Sequence, residues 1–160
     1  HAEIADRFGY KLSIHSGSDK FSIFPIIGKY TGGRVHVKTA GTNWLEAMRI
    51  VAEEDPVLYR EIHQFALDNF GEATKYYHVT TDIDNIPSLA VIIDDELPQL
   101  FKHNDARQLI HITYGLILQA RDENGYLFRD RLYQLWEDKE KQYSQALQEH
   151  IGNHIKALKN

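Results

Sequence analysis

Alternating apolar and polar positions mark two short strands in the first 40 residues. Residues 10–15 and 34–39 both follow this period-two pattern, and the second segment is rich in β-branched side chains. Each segment leads into a polar loop, residues 16–19 and 39–43, and then into a helical pattern. Successive strand–loop–helix units predict a parallel sheet whose polar loops lie at the carboxyl ends of the strands.

Helical periodicity covers most of the remaining chain. Residues 1–8 read as the end of an amphipathic helix with Gly9 as its stop, and Asp55 and Pro56 form a helix start. The further predicted elements are a short irregular helix over 20–29, helices over 44–51 and from Pro56 to Gly71, a third strand over 76–81, a helix over 104–117 with a strand over 110–113 as the competing prediction, and a helix over 126–159 that Gly152 interrupts.

These patterns predict an α/β fold with two or three parallel βα units followed by a mainly helical segment. A barrel of eight such units takes about 250 residues, so a chain of 160 residues can hold only a portion of a TIM-barrel-like fold. We therefore expect a partial barrel segment over residues 1–85 that carries the site loops, with a helical segment over residues 86–160 packing on it. The start in mid-helix without Met also suggests a piece of a longer protein.

Composition narrows the class of protein. The chain is 42% hydrophobic and 26% charged, which is typical of a globular domain. A net charge of −5 disfavours nucleic acid as a partner, and the chain contains no Cys for disulfides or thiolate chemistry. We find neither an apolar run of about 20 residues nor a signal-peptide pattern, and therefore expect a cytoplasmic protein without a membrane partner.

The first candidate site follows the first strand. His15 ends that strand, and Ser16, Ser18, Asp19 and Lys20 form the loop behind it. A histidine at the open edge of a parallel sheet can bind a divalent metal or move protons, and a lysine there can bind a carboxylate. The alternative is a hydrophilic loop whose Ser and Asp side chains cap the next helix.

The second candidate site follows the second strand. His36 and Lys38 lie two residues apart and therefore share one face, and Thr39 and Thr42 belong to the adjoining loop. Internal parallel strands are usually apolar on both faces, so two polar residues here indicate the interior of a barrel near its mouth. The alternative is an edge strand with one face in water.

Two helical patterns are weaker candidates. Arg107, His111 and Tyr114 share one face by their spacing and suit recognition of a carboxylate, although a solvent-facing stripe has the same spacing. His150 and His154 have the spacing of a helical zinc pair, but no carboxylate follows the first histidine as in that motif. We interpret this second pair as part of a solvated helix face.

The two loops also carry a resemblance to a known family. The motifs HSGSDKF and HVKTAGT, and the downstream stretch DARQLIHITYG, are similar to tagaturonate/fructuronate epimerases, sugar-acid enzymes of bacterial hexuronate catabolism. The resemblance implies a metal-dependent isomerase that inverts C4 of a ketohexuronate, with a small-molecule sugar acid as substrate. Because the family's enzymes are much longer and barrel-like, this chain would be their C-terminal portion, with further ligands supplied elsewhere. The metal's identity and the oligomeric state stay open.

Within that resemblance each candidate residue takes a role. His15 would bind the divalent metal, and His36 would be a second ligand or the proton shuttle. Asp19 would be a ligand or base, while Lys20 and Lys38 would hold the carboxylate or a developing oxyanion. The residues expected to bind substrate are Ser16, Ser18, Thr39, Arg107, His111 and Tyr114.

Two reaction routes and two other kinds of function stay open. C4 is not adjacent to the ketone, so inversion needs either retro-aldol cleavage of C3–C4 or transient oxidation at C4. No dinucleotide fingerprint is present, and we favour the retro-aldol route. The same loops would also serve another sugar isomerase or aldolase of barrel type, or a non-catalytic domain that binds a sugar acid.

Overall fold

The chain is mainly helical with a few short strands. The computed structural model describes residues 1–15, 21–39, 41–75 and 79–159. Its backbone divides into two compact units, residues 1–42 with 144–160, and residues 43–143. The predicted boundary at residue 85 falls within the second unit. No helix in the described ranges is long and apolar enough to cross a membrane.

Among its described residues, the first unit contains a parallel strand pair and four helical elements. Helix α1 ends as predicted, because Gly9 adopts a φ of +72° that side chains other than glycine rarely tolerate. The elements are α1 (Ala2–Arg7), β1 (Leu12–His15), a 3₁₀ turn (Phe21–Ile23), α2 (Phe24–Thr31), β2 (Val35–Lys38) and the part of α9 (Glu140–Lys159) from residue 144 onward.

The strand pair confirms the predicted parallel pairing. Leu12 aligns with Val35 and Ile14 with Val37, and these four apolar side chains form the half-buried face. The opposite face is exposed and holds every second residue of both strands. The third predicted strand is wrong for residues 79–81, which lie outside any strand, while residues 76–78 lie outside the described part.

A close approach between two helices stabilises the first unit. Gly28 of α2 is buried against the last turn of α9, and a Cβ added to it would lie 2.0 Å from the Leu158 carbonyl oxygen. Only a residue without a side chain fits between these backbones. Phe24, one turn earlier in α2, is completely buried.

The second unit is a helical domain with its own core. Its elements are α3 (Thr42–Glu54), α4 (Pro56–Asp68), α5 (Phe70–Ala73), 3₁₀ segments (Ile83–Asn85 and Asp94–Lys102), α6 (Asn104–Ile112), α7 (Tyr114–Gln119), β3 (Arg121–Asp122), β4 (Gly125–Tyr126), α8 (Arg129–Asp138) and the start of α9. The core is built from side chains of most of these helices, among them Met48, Val51, Leu58, Ile62, Leu97, Leu109, Ile110, Ile117 and Leu132.

Caps and turns define where these helices begin and end. The Asp55 carboxylate accepts a hydrogen bond from the Leu58 amide at 2.9 Å, as predicted for the cap of α4. The break before α5 falls at Asn69 rather than at the predicted Gly71, because the Asn69 side chain donates to the Phe65 carbonyl. The predicted helix over 126–159 is two helices that meet at Lys139, and α9 runs through Gly152 without interruption.

Candidate functional site

The exposed face of the strand pair brings three predicted site residues together. His15 of β1 is aligned with Lys38 of β2, and His36 is aligned with Ser13. All four side chains are on the solvent-exposed face, because the strands alternate half-buried and exposed positions in the same phase. The sequence therefore predicts correctly that His36 and Lys38 share a face. The register adds that His15 belongs to the same face.

A hydrogen bond fixes the His36 imidazole. Ser13 Oγ and His36 Nδ1 lie 2.8 Å apart across the two strands. When Nδ1 carries the proton and donates to Ser13, Nε2 presents a lone pair that can bind a metal or accept a proton. Sequence reasoning missed Ser13 as a site residue, although its place in the alternating pattern already put it on the polar face.

The candidate loop residues are described only in part. Ser16, Ser18, Asp19 and Lys20 lie outside the described residues, so their predicted roles stay predictions. Thr39 is described and is exposed directly after β2. The described part of the site is thus the strand face and the start of the second loop.

Arg107, His111 and Tyr114 belong to the second unit and do not share a continuous helix. The predicted helix over 104–117 is wrong at its middle: α6 ends at Ile112 and α7 begins at Tyr114. The Arg107 guanidinium donates to the Phe101 carbonyl at 3.4 Å, and the Tyr114 ring lies 6.3 Å from that of Trp44. Their role in binding substrate stays a prediction.

The histidine pair of α9 is not a solvated face. His154 is only 4% exposed, and its ring lies 4.4 Å from that of Phe21 and 5.4 Å from that of Phe24. Its Nδ1 donates to the His150 carbonyl, whereas its Nε2 has no hydrogen-bond partner among the described residues. Burial lowers the pKa of His154 and favours the neutral ring. The predicted solvated face was wrong because His154 packs against Phe21, which is too remote in sequence to be part of the helical pattern.

A second buried histidine lies in the core of the second unit. His63 is completely buried, and its Nδ1 lies 3.3 Å from the Tyr59 hydroxyl. Burial lowers the pKa of His63 to about 4, so the ring is neutral at physiological pH. The sequence analysis did not single out His63, although its place next to Ile62 on the apolar side of α4 could have indicated burial.

The described residues do not include a complete set of metal ligands. Within them no group of three or more His, Cys, Asp or Glu side chains could hold a metal ion. His15 and His36 on the strand face are two ligands of a type that divalent transition metals accept. A metal ion bound at this strand face would need further ligands.

The chain is similar to solved structures of a fructuronate-tagaturonate epimerase. A crystal structure of the fructuronate-tagaturonate epimerase UxaE from Cohnella laeviribosi, complexed with one glycerol, is 62% identical with a TM-score of 0.96. The match covers 99% of this chain and 32% of that one. The native crystal structure of the same epimerase matches equally well.

Sequence comparison agrees with the structures. The chain is 43% identical over 159 residues to the tagaturonate/fructuronate epimerase of Thermotoga maritima, covering 99% of this chain and 32% of that protein. The family model described as tagaturonate epimerase matches residues 1–158. The chain belongs to the tagaturonate epimerase family, which confirms the resemblance of its loop motifs. It spans about a third of the length of these relatives.

Proposed function

We propose that this chain is the C-terminal part of an isomerase that interconverts tagaturonate and fructuronate by inverting C4 of the ketohexuronate. The observation that carries the proposal is the polar strand face of His15, His36 and Lys38, found in a chain that belongs to this family from end to end. The parallel pairing of β1 and β2 supports the further proposal that these strands belong to a TIM-barrel-like sheet.

The chemistry that we propose is a retro-aldol and aldol sequence. A base removes the proton of the C4 hydroxyl, and the C3–C4 bond breaks to give a C4 aldehyde and a three-carbon enediolate. Rotation of the aldehyde by half a turn presents its other face. The enediolate carbon then re-forms the C3–C4 bond, and the C4 alkoxide recovers its proton. Atoms and electrons balance without an external oxidant or reductant.

His36 is suited to move the C4 proton. Its Nδ1 is engaged by Ser13 at 2.8 Å, so the ring orientation is fixed and Nε2 is the atom that exchanges a proton. Lys38, on the same face, supplies a positive charge for the substrate carboxylate or for the developing oxyanion. We assign the loop residues Asp19, Lys20, Ser16 and Ser18 to base and substrate contacts on the family resemblance alone.

We propose His15 as a ligand of a divalent metal, with His36 as the alternative second ligand. When bound, such a metal would polarise the C2 carbonyl and stabilise negative charge on its oxygen. The remaining ligands would come from Asp19 and from polypeptide that corresponds to the other two thirds of the relatives.

The proposal is tested with a chimaeric enzyme in which this chain replaces the matching third of the Cohnella laeviribosi epimerase. The TM-score of 0.96 indicates that the two segments are interchangeable in shape. We expect the chimaera to interconvert tagaturonate and fructuronate, measured by chromatography of both products. The chimaera carrying Lys38→Ala should lose activity, and Lys29→Ala, an exposed lysine of α2, serves as the matched control.

Two outcomes would contradict the proposal. A folded chimaera that binds the sugar acid by calorimetry without turnover would indicate a binding domain. Release of a three-carbon product without the C4 epimer would indicate an aldolase. A wild-type rate in the Lys38→Ala chimaera would remove that residue from the site.

A further inference from the structure

An aromatic groove lies on the surface of the second unit, and its described lining includes none of the residues used above for catalysis. Its volume is about 570 Å³, within the range of roughly 300–1,000 Å³ typical of ligand sites. Four aromatic side chains contribute to its lining, namely Trp44, Tyr133, Trp136 and Tyr143. Nothing in the proposed epimerase reaction uses it.

The two indole rings of the groove are held in place by the protein. Trp44 Nε1 donates to the Ile110 carbonyl at 2.8 Å, and Trp136 Nε1 donates to the Ala47 carbonyl at 3.0 Å. The rings meet edge to face, with centroids 6.0 Å apart, and Tyr133 packs on Trp136 in the same manner. Because the indole N–H groups are already satisfied, the rings offer a ligand their apolar carbon surface and π-electrons rather than hydrogen bonds.

The charges at the groove are negative. Glu137 and Glu140 contribute to its lining, and no Lys or Arg is among its described lining residues. Lys139, between the two glutamates in sequence, pairs instead with Glu54. Burial, and to a smaller extent the charge of Glu46, raises the pKa of the Tyr143 hydroxyl at this end of the groove.

We propose that this groove binds a small organic cation of the alkylammonium class. Electron-rich ring faces attract a cation that has shed part of its water, and tryptophan is the strongest of them. Carboxylates at the rim favour the cation and repel the anionic sugar acid, so the groove is not a second substrate site. Methyl groups on the nitrogen would fill the apolar space that a hydrated metal ion could not.

The test uses the chimaeric enzyme described above, which carries this chain, and two ligands of nearly the same shape. Choline carries a trimethylammonium group, and 3,3-dimethylbutan-1-ol replaces its charged nitrogen by carbon. Binding is followed by the NMR signals of the two indole N–H groups. We expect choline to shift both signals in a saturable manner, with an affinity about tenfold higher than that of the neutral alcohol. Equal affinities would mean that the groove recognises apolar shape only, and would overturn the proposal.

Two surface variants then distinguish the contribution of the carboxylates to choline binding from that of the aromatic rings. Glu137→Gln with Glu140→Gln should weaken choline binding about fivefold at low salt and leave the neutral alcohol unaffected. Tyr133→Leu keeps apolar area but removes a ring, and should weaken choline more than the alcohol. Glu123→Gln, an exposed glutamate of the same unit outside the groove lining, is the control. Unchanged choline affinity in both groove variants, with unchanged circular dichroism, would contradict the assignment.

Discussion

The bond between Ser13 and His36 determines which nitrogen of the imidazole faces outward. Without the hydroxyl, the ring can rotate and Nε2 is no longer presented at a fixed position. The contact depends on the parallel register, which aligns these two residues across the strand pair. A substitution at Ser13 therefore probes the geometry of His36 without changing any group proposed to touch substrate.

We predict that Ser13→Ala lowers kcat/KM of the chimaeric epimerase by about 10–100-fold, the usual cost of losing a partner that orients a functional histidine. The thermal midpoint should change little, because Ser13 is exposed. Ser22→Ala, an exposed serine of the 3₁₀ turn, is the control. An unchanged kcat/KM in Ser13→Ala would show that the orientation of His36 is set by other contacts.

His63 makes stability depend on pH. Its pKa is about 4 in the folded state and 6.5 in the unfolded chain, so the unfolded state binds more protons between these values. The free energy of unfolding should therefore fall as pH decreases from 7 to 4, with a contribution from His63 of about 3 kcal/mol. Urea unfolding followed by circular dichroism at both pH values measures this change.

The variant His63→Phe isolates that contribution. It removes the titrating group and the buried Nε2, which lacks a partner among the described residues. We expect a shallower pH dependence, and a stability at pH 7 equal to or above that of the wild type. If the pH dependence is the same in both proteins, His63 is not the group responsible.

At the level of elements, the contact of α2 with α9 leaves no space for a side chain at Gly28. Gly28→Ala would push a methyl group into the Leu158 carbonyl, and we predict a loss of about 2–3 kcal/mol in the free energy of unfolding. Gly152→Ala is the matched change in α9, where an added Cβ meets nothing within 4 Å. It should stabilise the helix by about 0.5–1 kcal/mol. Similar effects of both substitutions would contradict the close approach.

Strands β1 and β2, the end of α1 and the cap of α4 could be predicted from sequence because their signals are local. Period-two alternation located β1 and β2, and the Asp55–Pro56 pair located the start of α4. The hairpin of β3 and β4 was missed because each strand has two residues, too few for a periodic signal. Its turn depends on the Asp122 carboxylate, which accepts from the amides of Asn124 and Gly125.

The break between α6 and α7 was missed for a different reason. Apolar spacing continues through residues 104–117, but the helix ends where the buried Thr113 hydroxyl donates to the Leu109 carbonyl. Burial of His154 was missed because it depends on Phe21, which lies more than a hundred residues away in sequence. A local sequence pattern cannot reveal contacts between residues that are remote in sequence. It can reveal that His36 and Lys38 share a face, because they lie two residues apart in one strand.

For the molecule as a whole, we predict that activity requires a divalent metal held partly by His15. Treatment of the chimaeric epimerase with a chelator should abolish turnover, and added divalent metal should restore it. Loss of a residue that only orients a metal ligand lowers activity by roughly 10–100-fold. In His15→Ala the loss of activity should be larger than this, and added metal should not restore activity. Full activity and full metal content in His15→Ala would remove this residue from the site.

The positions of the two tryptophans determine which unit of the protein can be followed by intrinsic fluorescence. The chain has two tryptophans, and both Trp44 and Trp136 belong to the second unit, with their indoles tied to backbone carbonyls. Intrinsic tryptophan fluorescence therefore follows unfolding of the second unit. It does not directly follow the strand pair that carries His15, His36 and Lys38. A tryptophan introduced at Tyr30, an exposed aromatic position of α2, would give the first unit an optical signal of its own.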